Sequence, residues 1–171
     1  MKISQAKLIL SLALSIFLLN ACAGNETANT NSLASNVNSK TEVVAKDDIE
    51  ELGKIIKLAF VPEEATYSEI NLNDRNSVPN QKKLVAVLKF SAENANQIVA
   101  QAEKYNPPAP ADIDAENWFP PELVAKSQET GDEFLKGAAY AANDFLQSPY
   151  INGRLTRIND TNYFVLELFS F

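Results

Sequence analysis

Hydrophobic and polar residues follow three different patterns along the chain, and these patterns divide it into three parts. Residues 8–19 are apolar except for two serines. Residues 25–41 are polar: eleven of the seventeen are Asn, Ser or Thr, a composition that cannot bury enough apolar surface to form a packed structure. Patterns typical of helices and strands begin near Lys46. The sequence therefore predicts one folded domain at residues 46–171, preceded by a disordered tether.

Two amphipathic helices are predicted in the first half of this domain. The first begins at Asp47 and Asp48, and the second begins at the N-cap residue Ser91. Apolar residues recur at spacings of three and four in both helices: Ile49, Leu52, Ile56 and Ala59 in the first, and Ala95, Ile98, Val99, Ala102 and Tyr105 in the second. Between the helices, residues 65–72 and 83–90 predict strands, and the second is apolar on both faces, as in a central strand.

The second half of the domain predicts more strands. Five prolines within residues 106–123 predict mostly irregular structure, followed by a short helix at 121–126. Residues 134–145 fit a helix or a strand, and we favour the strand. Asn152 and Gly153 indicate a turn before a β-hairpin of residues 154–158 and 163–171. In the last strand one face carries Phe164, Leu166 and Leu168, and the other carries Tyr163, Val165, Glu167 and Phe169.

Helices and strands thus occur in separate blocks. This arrangement predicts an α+β fold, in which a small antiparallel sheet has about two helices packed on one face.

The apolar run near the N-terminus has the features of a secretory signal peptide. Lys2 and Lys7 are the only charged residues among the first 25, and twelve residues are too few for a bilayer-spanning helix, which needs about 20. A buried core helix is the alternative. The run ends in Leu19-Asn20-Ala21-Cys22, which resembles the lipobox of bacterial lipoproteins: a large aliphatic residue, two further positions and a cysteine.

The resemblance covers residues 1–22 only, and it implies a lipid anchor. In that family the signal peptide, here residues 1–21, is removed, and the cysteine, here Cys22, carries a diacylglyceryl group and often an acylated amino group. Two or more acyl chains anchor a protein stably to a membrane. Ala23 rather than aspartate follows the cysteine, which by the sorting rule of proteobacterial lipoproteins implies the outer membrane, facing the periplasm. Residues 22–45 are then the lipidated tether.

Composition narrows the chemistry further. The chain has no histidine and one cysteine, which excludes histidine-dependent triads, an internal disulfide and a cysteine-rich zinc site. Loss of Lys2 and Lys7 with residues 1–21 leaves 22 acidic and 13 basic side chains, a net charge of −9. This charge argues against nucleic acid and favours a basic envelope protein as partner. No GxSxG, SxxK or glycine-rich phosphate loop occurs, so no cofactor is predicted.

One acidic stretch is a candidate metal site. Asp112, Asp114 and Glu116 alternate along the chain, as calcium ligands can. An EF-hand loop that starts at Asp112 needs glycine at position 117 and glutamate at position 123, but the chain has Asn117 and Leu123. A solvated acidic loop is the better interpretation, and no metal ligand is predicted.

Two aromatic residues are the candidate partner-binding residues. Trp118 and Phe119 lie in a stiff proline-rich loop, where side chains lose little entropy on docking. The alternative is that both rings pack beneath the loop and seal the core. Carboxylate pairs, Glu63–Glu64 and Asp132–Glu133, could support hydrolysis without histidine, although proximity in sequence does not establish geometry.

Three classes of function remain. The favoured one is a non-enzymatic envelope lipoprotein that binds another envelope component, for instance as an inhibitor of a cationic enzyme. The alternative is a small carboxylate-dependent hydrolase of the envelope, which requires two or more acids to converge in one pocket. A structural spacer is the third class, and it predicts neither a concave nor an aromatic surface. No catalytic residue is predicted.

The lipid anchor can be tested with one substitution. Cys22→Ser removes the thiol that a diacylglyceryl group requires, so we expect the variant to lose lipid labelling and to leave the membrane fraction. Metabolic labelling with a radioactive fatty acid and membrane fractionation provide the measurement. Continued labelling of the variant would contradict the lipobox interpretation.

Overall fold

A computed structural model describes residues 44–72, 81–129, 131 and 134–170, all of which belong to one compact unit of the chain. The signal peptide, Cys22, most of the tether and the pair Asp132–Glu133 lie outside the described residues. The elements are α1 (Ile49–Ile55), β1 (Glu64–Asn71), β2 (Lys82–Lys89), α2 (Ala92–Ala102), β3 (Ala109–Asp114), α3 (Pro121–Glu129), β4 (Phe134–Ala141), a 3-10 turn (Asn143–Phe145), β5 (Asn152–Ile158) and β6 (Tyr163–Ser170).

The strands form one antiparallel sheet. Its six strands are ordered β1-β2-β6-β5-β4-β3, so that β1 and β3 are the two edges and β6 lies inside. The central pair, β2 and β6, runs in continuous register from Lys82 opposite Ser170 to Lys89 opposite Tyr163. The sheet and its helices confirm the predicted α+β fold class and the prediction of residues 83–90 as a central strand.

The first face of the sheet is covered by α1 and α2, which confirms the prediction of two helices on one face. Helix α1 contributes Leu52 and Ile56, and α2 contributes Ala95 and Ile98. From the two central strands, the first core takes the residues at alternate positions, Leu84, Ala86, Leu88, Phe164, Leu166 and Leu168. These side chains are fully buried, because alternate residues of a strand point to the same face.

The second face is covered by α3 and by the loop before it. Leu123 of α3 and Phe119 pack on Val87, Val165 and Ile158 of the sheet, in a second core. Helix α3 is therefore an additional layer on the opposite face. The two faces of β6 are those that the sequence predicts, with Tyr163 and Val165 in the second core.

Both helix starts are capped, and the cap at Ser91 is the one that the sequence predicts. The Asp48 carboxylate accepts a hydrogen bond from the backbone N–H of Glu51 at 2.9 Å, and the Ser91 hydroxyl accepts one from Asn94 at 3.2 Å. Each cap satisfies one of the N–H groups that a helix leaves without a partner in its first turn. Helix α1 is shorter than predicted: it ends at Ile55, and Ala59 is exposed.

Strand β3 corrects the prediction that residues 106–123 are mostly irregular. Residues 109–114 form a strand although Pro110 has no backbone N–H. Proline is tolerated on an edge strand if the missing N–H faces away from the neighbouring strand, and β3 is such an edge. The buried residue Ile113 between exposed Asp112 and Asp114 gives the alternation of a half-buried strand.

The prediction of a turn at Asn152 and Gly153 is also wrong, because both residues begin β5. A Cβ atom added at position 153 would lie only 2.3 Å from the carbonyl oxygen of Glu167 on β6, so the glycine allows β5 and β6 to approach closely. In residues 134–145, the favoured strand is confirmed for Phe134–Ala141, and Asn143–Phe145 form the 3-10 turn.

Two glycine substitutions should change stability in opposite directions. A Cβ atom added at position 137 would lie 2.4 Å from the Arg157 carbonyl oxygen and 2.8 Å from a Thr156 methyl. Gly137→Ala therefore forces two strands apart and should lower the free energy of unfolding by about 1–3 kcal/mol. Gly53 lies inside α1, and a Cβ atom added there would be 3.7 Å from its nearest neighbour, an ordinary contact distance. Gly53→Ala should therefore raise the free energy of unfolding by up to about 1 kcal/mol. Urea unfolding of both variants measures the two shifts, and a Gly137→Ala variant as stable as the unsubstituted protein would contradict the packing at Gly137.

Candidate interaction surface

The outer edge of β3 can be oriented from one hydrogen bond on the neighbouring strand. The Lys136 carbonyl accepts a hydrogen bond of 3.0 Å from Asn159 N–H, so the backbone of Lys136 faces β5. Backbone groups of successive strand residues point to opposite sides, so the adjacent residue Gly137 faces β3. Its partner there is Ala111, whose own backbone therefore points inward.

The alternate residues of β3 consequently point outward. These are Pro110, Asp112 and Asp114, which present three carbonyl groups and two N–H groups at the outer edge. The missing N–H of Pro110 thus belongs to the outer side and costs no bond to β4. None of these outward groups is hydrogen-bonded to another described residue. We call Pro110, Asp112 and Asp114 the acidic edge.

The opposite edge of the sheet differs because the chain covers part of it. Lys46 forms an isolated bridge to Tyr67 of β1, with two backbone hydrogen bonds of 2.8 Å each. The acidic edge is therefore the more open of the two edges in the part of the chain that the structure describes.

The two aspartates give the acidic edge its charge. Asp112 and Asp114 are exposed, and their side chains point away from Ile113, which is buried in the second core. Neither carboxylate forms an ion pair within the described residues. No group of three or more acidic or cysteine side chains that could hold a metal ion occurs among the residues that the structure describes.

The two predicted aromatic residues lie just after β3 and have different environments. Phe119 is 4% exposed and belongs to the second core, so its ring seals the core, as the alternative interpretation proposes. Trp118 packs on the same core and meets Phe119 edge-to-face at 4.7 Å between ring centres, but it is only half-buried. A partner-binding role for Trp118 stays a prediction, with part of the residue accessible to solvent.

One cluster of polar side chains joins α3 to the sheet. The Tyr163 hydroxyl of β6 donates a hydrogen bond to Glu122 of α3 and lies 3.2 Å from Glu64 Oε2 of β1. Lys89 of β2 completes the cluster: its ammonium group lies 2.6 Å from Glu64 Oε1 and 5.3 Å from the centre of the Tyr163 ring. We call these four residues the Tyr163 cluster.

The pKa shifts in the Tyr163 cluster indicate a structural role. Burial, together with the two carboxylates, raises the pKa of the Tyr163 hydroxyl far above its ordinary value. The hydrogen bond from Tyr163 lowers the pKa of the Glu122 carboxyl, and the bond to Glu64 raises the pKa of the Lys89 ammonium. A hydrolase pair needs one carboxyl whose pKa is raised, so that it can act as an acid. Glu122 is shifted in the opposite direction.

A second carboxylate lies on the same face, nearer the other end of β6. Glu167 bridges two cations, with 2.8 Å to the Lys83 ammonium and 2.5 Å to Arg154 Nε. Burial alone raises the pKa of the Glu167 carboxyl, but the bonds from Lys83 and Arg154 outweigh it and hold this pKa below its ordinary value. The ion pairs allow a carboxylate to be buried on the sheet.

Two cavities of the domain are not lined by Glu64 or Glu122, the two acids that meet at Tyr163. One of about 270 Å³ lies at the outer edge of β1, beside Lys46, Glu69 and Lys82. Another of about 190 Å³ lies beside Phe134 and Asp160. Neither contains Glu64 or Glu122, so the two acids that the fold brings together do not line these cavities.

Comparison with known protein families, with curated proteins and with solved structures finds no match to this chain. Within the described ranges, no helix has the length and apolarity needed to cross a bilayer.

The structure adds features that sequence reasoning missed. The sequence predicts Asp112 and Asp114 in a solvated loop, but they lie on an edge strand; the available signal is the apolar residue Ile113 between them, which is buried. The partners in the Tyr163 cluster are distant in sequence: the residue numbers of Glu122 and Tyr163 differ by 41, and those of Glu64 and Tyr163 differ by 99. No local pattern identifies such contacts.

The Tyr163 cluster predicts a pH-dependent contribution to stability. Tyr163→Phe removes the hydroxyl that bonds Glu122, and at pH 7 we expect a loss of about 1 kcal/mol in the free energy of unfolding. The lowered pKa of Glu122 means that this contribution is complete above the ordinary value of 4.5 and is lost as pH falls through the lower folded-state value. The difference in free energy of unfolding between the unsubstituted protein and Tyr163→Phe should therefore become smaller in acid, as measured by urea unfolding.

Tyr105→Phe is the matched control for this prediction. The Tyr105 hydroxyl also bonds a carboxylate, Asp144, at 2.6 Å, but the residue is 47% exposed, so the loss should be smaller. A deficit of Tyr163→Phe that grows in acid would contradict the proposed contact with Glu122.

Proposed function

We propose that this protein is a bacterial envelope lipoprotein whose folded domain binds a basic protein without catalysing a reaction. The N-terminal segment supports the anchoring part, because a short apolar run ends in Leu19-Asn20-Ala21-Cys22. Lipid on Cys22 holds the protein at the membrane, and Ala23 directs it to the outer membrane, facing the periplasm. The binding part rests on the folded domain.

The observation that carries the binding proposal is the acidic edge. It combines an open strand edge with the exposed carboxylates of Asp112 and Asp114, and half-buried Trp118 follows on the next loop. The mature chain carries a net charge of −9, which attracts a basic partner over distances of about 10 Å at ordinary salt. Once the partner is near, Trp118 supplies an aromatic contact of the kind enriched at interfaces.

A hydrolase is the second candidate, favoured by one observation. Glu64 and Glu122 approach the same phenol oxygen, so two acids converge, but neither lines the cavity at β1 or the one beside Phe134. Lys89 pairs with Glu64, and Tyr163 holds Glu122 ionised, which favours a structural contact over acid–base chemistry. If hydrolysis of glycosidic or ester substrates is detected and both Glu64→Gln and Glu122→Gln abolish it, the hydrolase becomes the better proposal.

The binding proposal predicts a charge-dependent capture of envelope proteins. The double variant Asp112→Asn, Asp114→Asn removes two charges from the acidic edge and keeps the shape of both side chains. We expect it to retain less than about a tenth of a basic partner that the unsubstituted protein captures from envelope extract, since each lost contact with a charged group is worth about 1 kcal/mol or more. Quantitative mass spectrometry after capture gives the ratio for each protein.

The control places the same charge change elsewhere. Glu63→Gln with Glu103→Gln alters two exposed residues outside the acidic edge and the Tyr163 cluster, so capture of the partner should be nearly unchanged. Equal losses in both double variants would show that net charge alone is responsible. Captured proteins that are not basic, or that the edge variant retains fully, would contradict the proposal.

A further inference from the structure

We infer that the partner docks by adding an extended strand to the outer edge of β3, with Lys or Arg side chains at alternate positions opposite Asp112 and Asp114. This inference rests on the proposed function and specifies its binding mode: main-chain hydrogen bonds hold the segment, and the two carboxylates select its charge.

The backbone of β3 supplies the hydrogen-bonding groups. The outward carbonyls of Pro110, Asp112 and Asp114 and the outward N–H groups of Asp112 and Asp114 have no bond to a described residue. They recur at every second residue, which is the spacing at which an added strand offers its own groups. The side of β3 that faces β4 is fully paired from Ala109 to Asp114, so only the outer side can accept a strand.

The side chains favour a basic segment over a second copy of this chain. Two β3 edges paired with each other bring aspartates close together, and like charges on neighbouring strands are destabilising. A strand with Lys or Arg opposite Asp112 and Asp114 reverses the sign of this interaction. Pro110 and the two charges also prevent promiscuous pairing, which is how natural edge strands avoid aggregation.

The opposite edge is less suitable for such an addition. Lys46 already bonds both backbone groups of Tyr67 in the middle of β1, so an incoming strand would have to displace it. The cavity beside this edge also carries two lysines, Lys46 and Lys82, which repel a basic segment.

A synthetic peptide tests the inference directly on the full-length protein in detergent. The probe is an eight-residue peptide that alternates Lys and Val, with blocked termini. When nine-tenths of the protein is bound, exchange of the Asp112 and Asp114 amides should slow about tenfold, because only unbound protein exchanges. The amides of Ala111 and Ile113 face β4 and should change little. Amide exchange followed by nuclear magnetic resonance measures each position separately.

Two variants separate the backbone contact from the charge. Asp112→Pro and Asp112→Asn both remove the carboxylate, but only the proline removes the outward N–H. Pro110 already occupies an outward position of the same strand, so the fold tolerates a proline there. We expect the peptide to bind Asp112→Pro about tenfold more weakly than Asp112→Asn, and amide protection at Ile113 checks that the variant remains folded.

The outcomes distinguish this inference from the function on which it rests. If the peptide binds but the Asp112 and Asp114 amides exchange as before, or if both Asp112 variants bind equally, strand addition is wrong and charge-dependent binding stands. If the protein captures no basic protein and the peptide does not bind, both fail. Should Asp112→Pro unfold, the amide measurement on the unsubstituted protein decides alone.

A peptide with four Lys followed by four Val is the matched control for the alternating peptide. It should bind more weakly, because it cannot place its charges at alternate positions.

Discussion

The burial of β6 on both of its faces is the constraint on which the rest of the structure depends. Phe164 and Leu166 point into the core beneath α1 and α2, while Val165 and the ring of Tyr163 point into the core beneath α3. A strand buried on both sides must lie inside the sheet and needs a layer of helix on each face. Full burial of each large apolar side chain stabilises the folded state by about 1.5–3 kcal/mol. With β6 inside, the strand order ends in β1 on one side and β3 on the other, so the acidic edge lies at the margin of the sheet.

Polar side chains on the second face complete this architecture, and they account for several of its carboxylates. Glu122 and Glu64 meet at Tyr163, and Glu167 lies between Lys83 and Arg154. Glu167 is buried and is stabilised by its two cations, whereas the exposed Glu64 and Glu122 contact the Tyr163 hydroxyl, so all three acids have structural partners. The carboxylates of Asp112 and Asp114 differ, because they are exposed on an open strand without an ion pair among the described residues. The proposed binding role follows from this contrast.

Local patterns predicted much of the fold, and distant contacts explain the failures. Position before an apolar period predicts the cap at Ser91 and a helix start at Asp47 and Asp48, and the faces of β6 follow from simple alternation. Strand β3 was missed because Pro110 argues against a strand unless its edge position is known, and that position is a property of the whole sheet. The site shows the same limit. The sequence identifies Asp112 and Asp114 as acidic residues, but the outward direction of their backbone groups depends on how β3 pairs with β4. The contact of Tyr163 with Glu122 likewise depends on residues that are distant in sequence.

The central claim is that the acidic edge of β3 contacts a basic protein in the envelope. Photo-crosslinking in intact cells tests it most directly, with a photoreactive residue at position 112 in one version of the protein and, in another, at position 103, an exposed site at the C-terminal end of α2 and outside the acidic edge. The account predicts a crosslink to one basic protein from position 112 and none to that protein from position 103. Identical products from both positions, or no product from position 112, would contradict it.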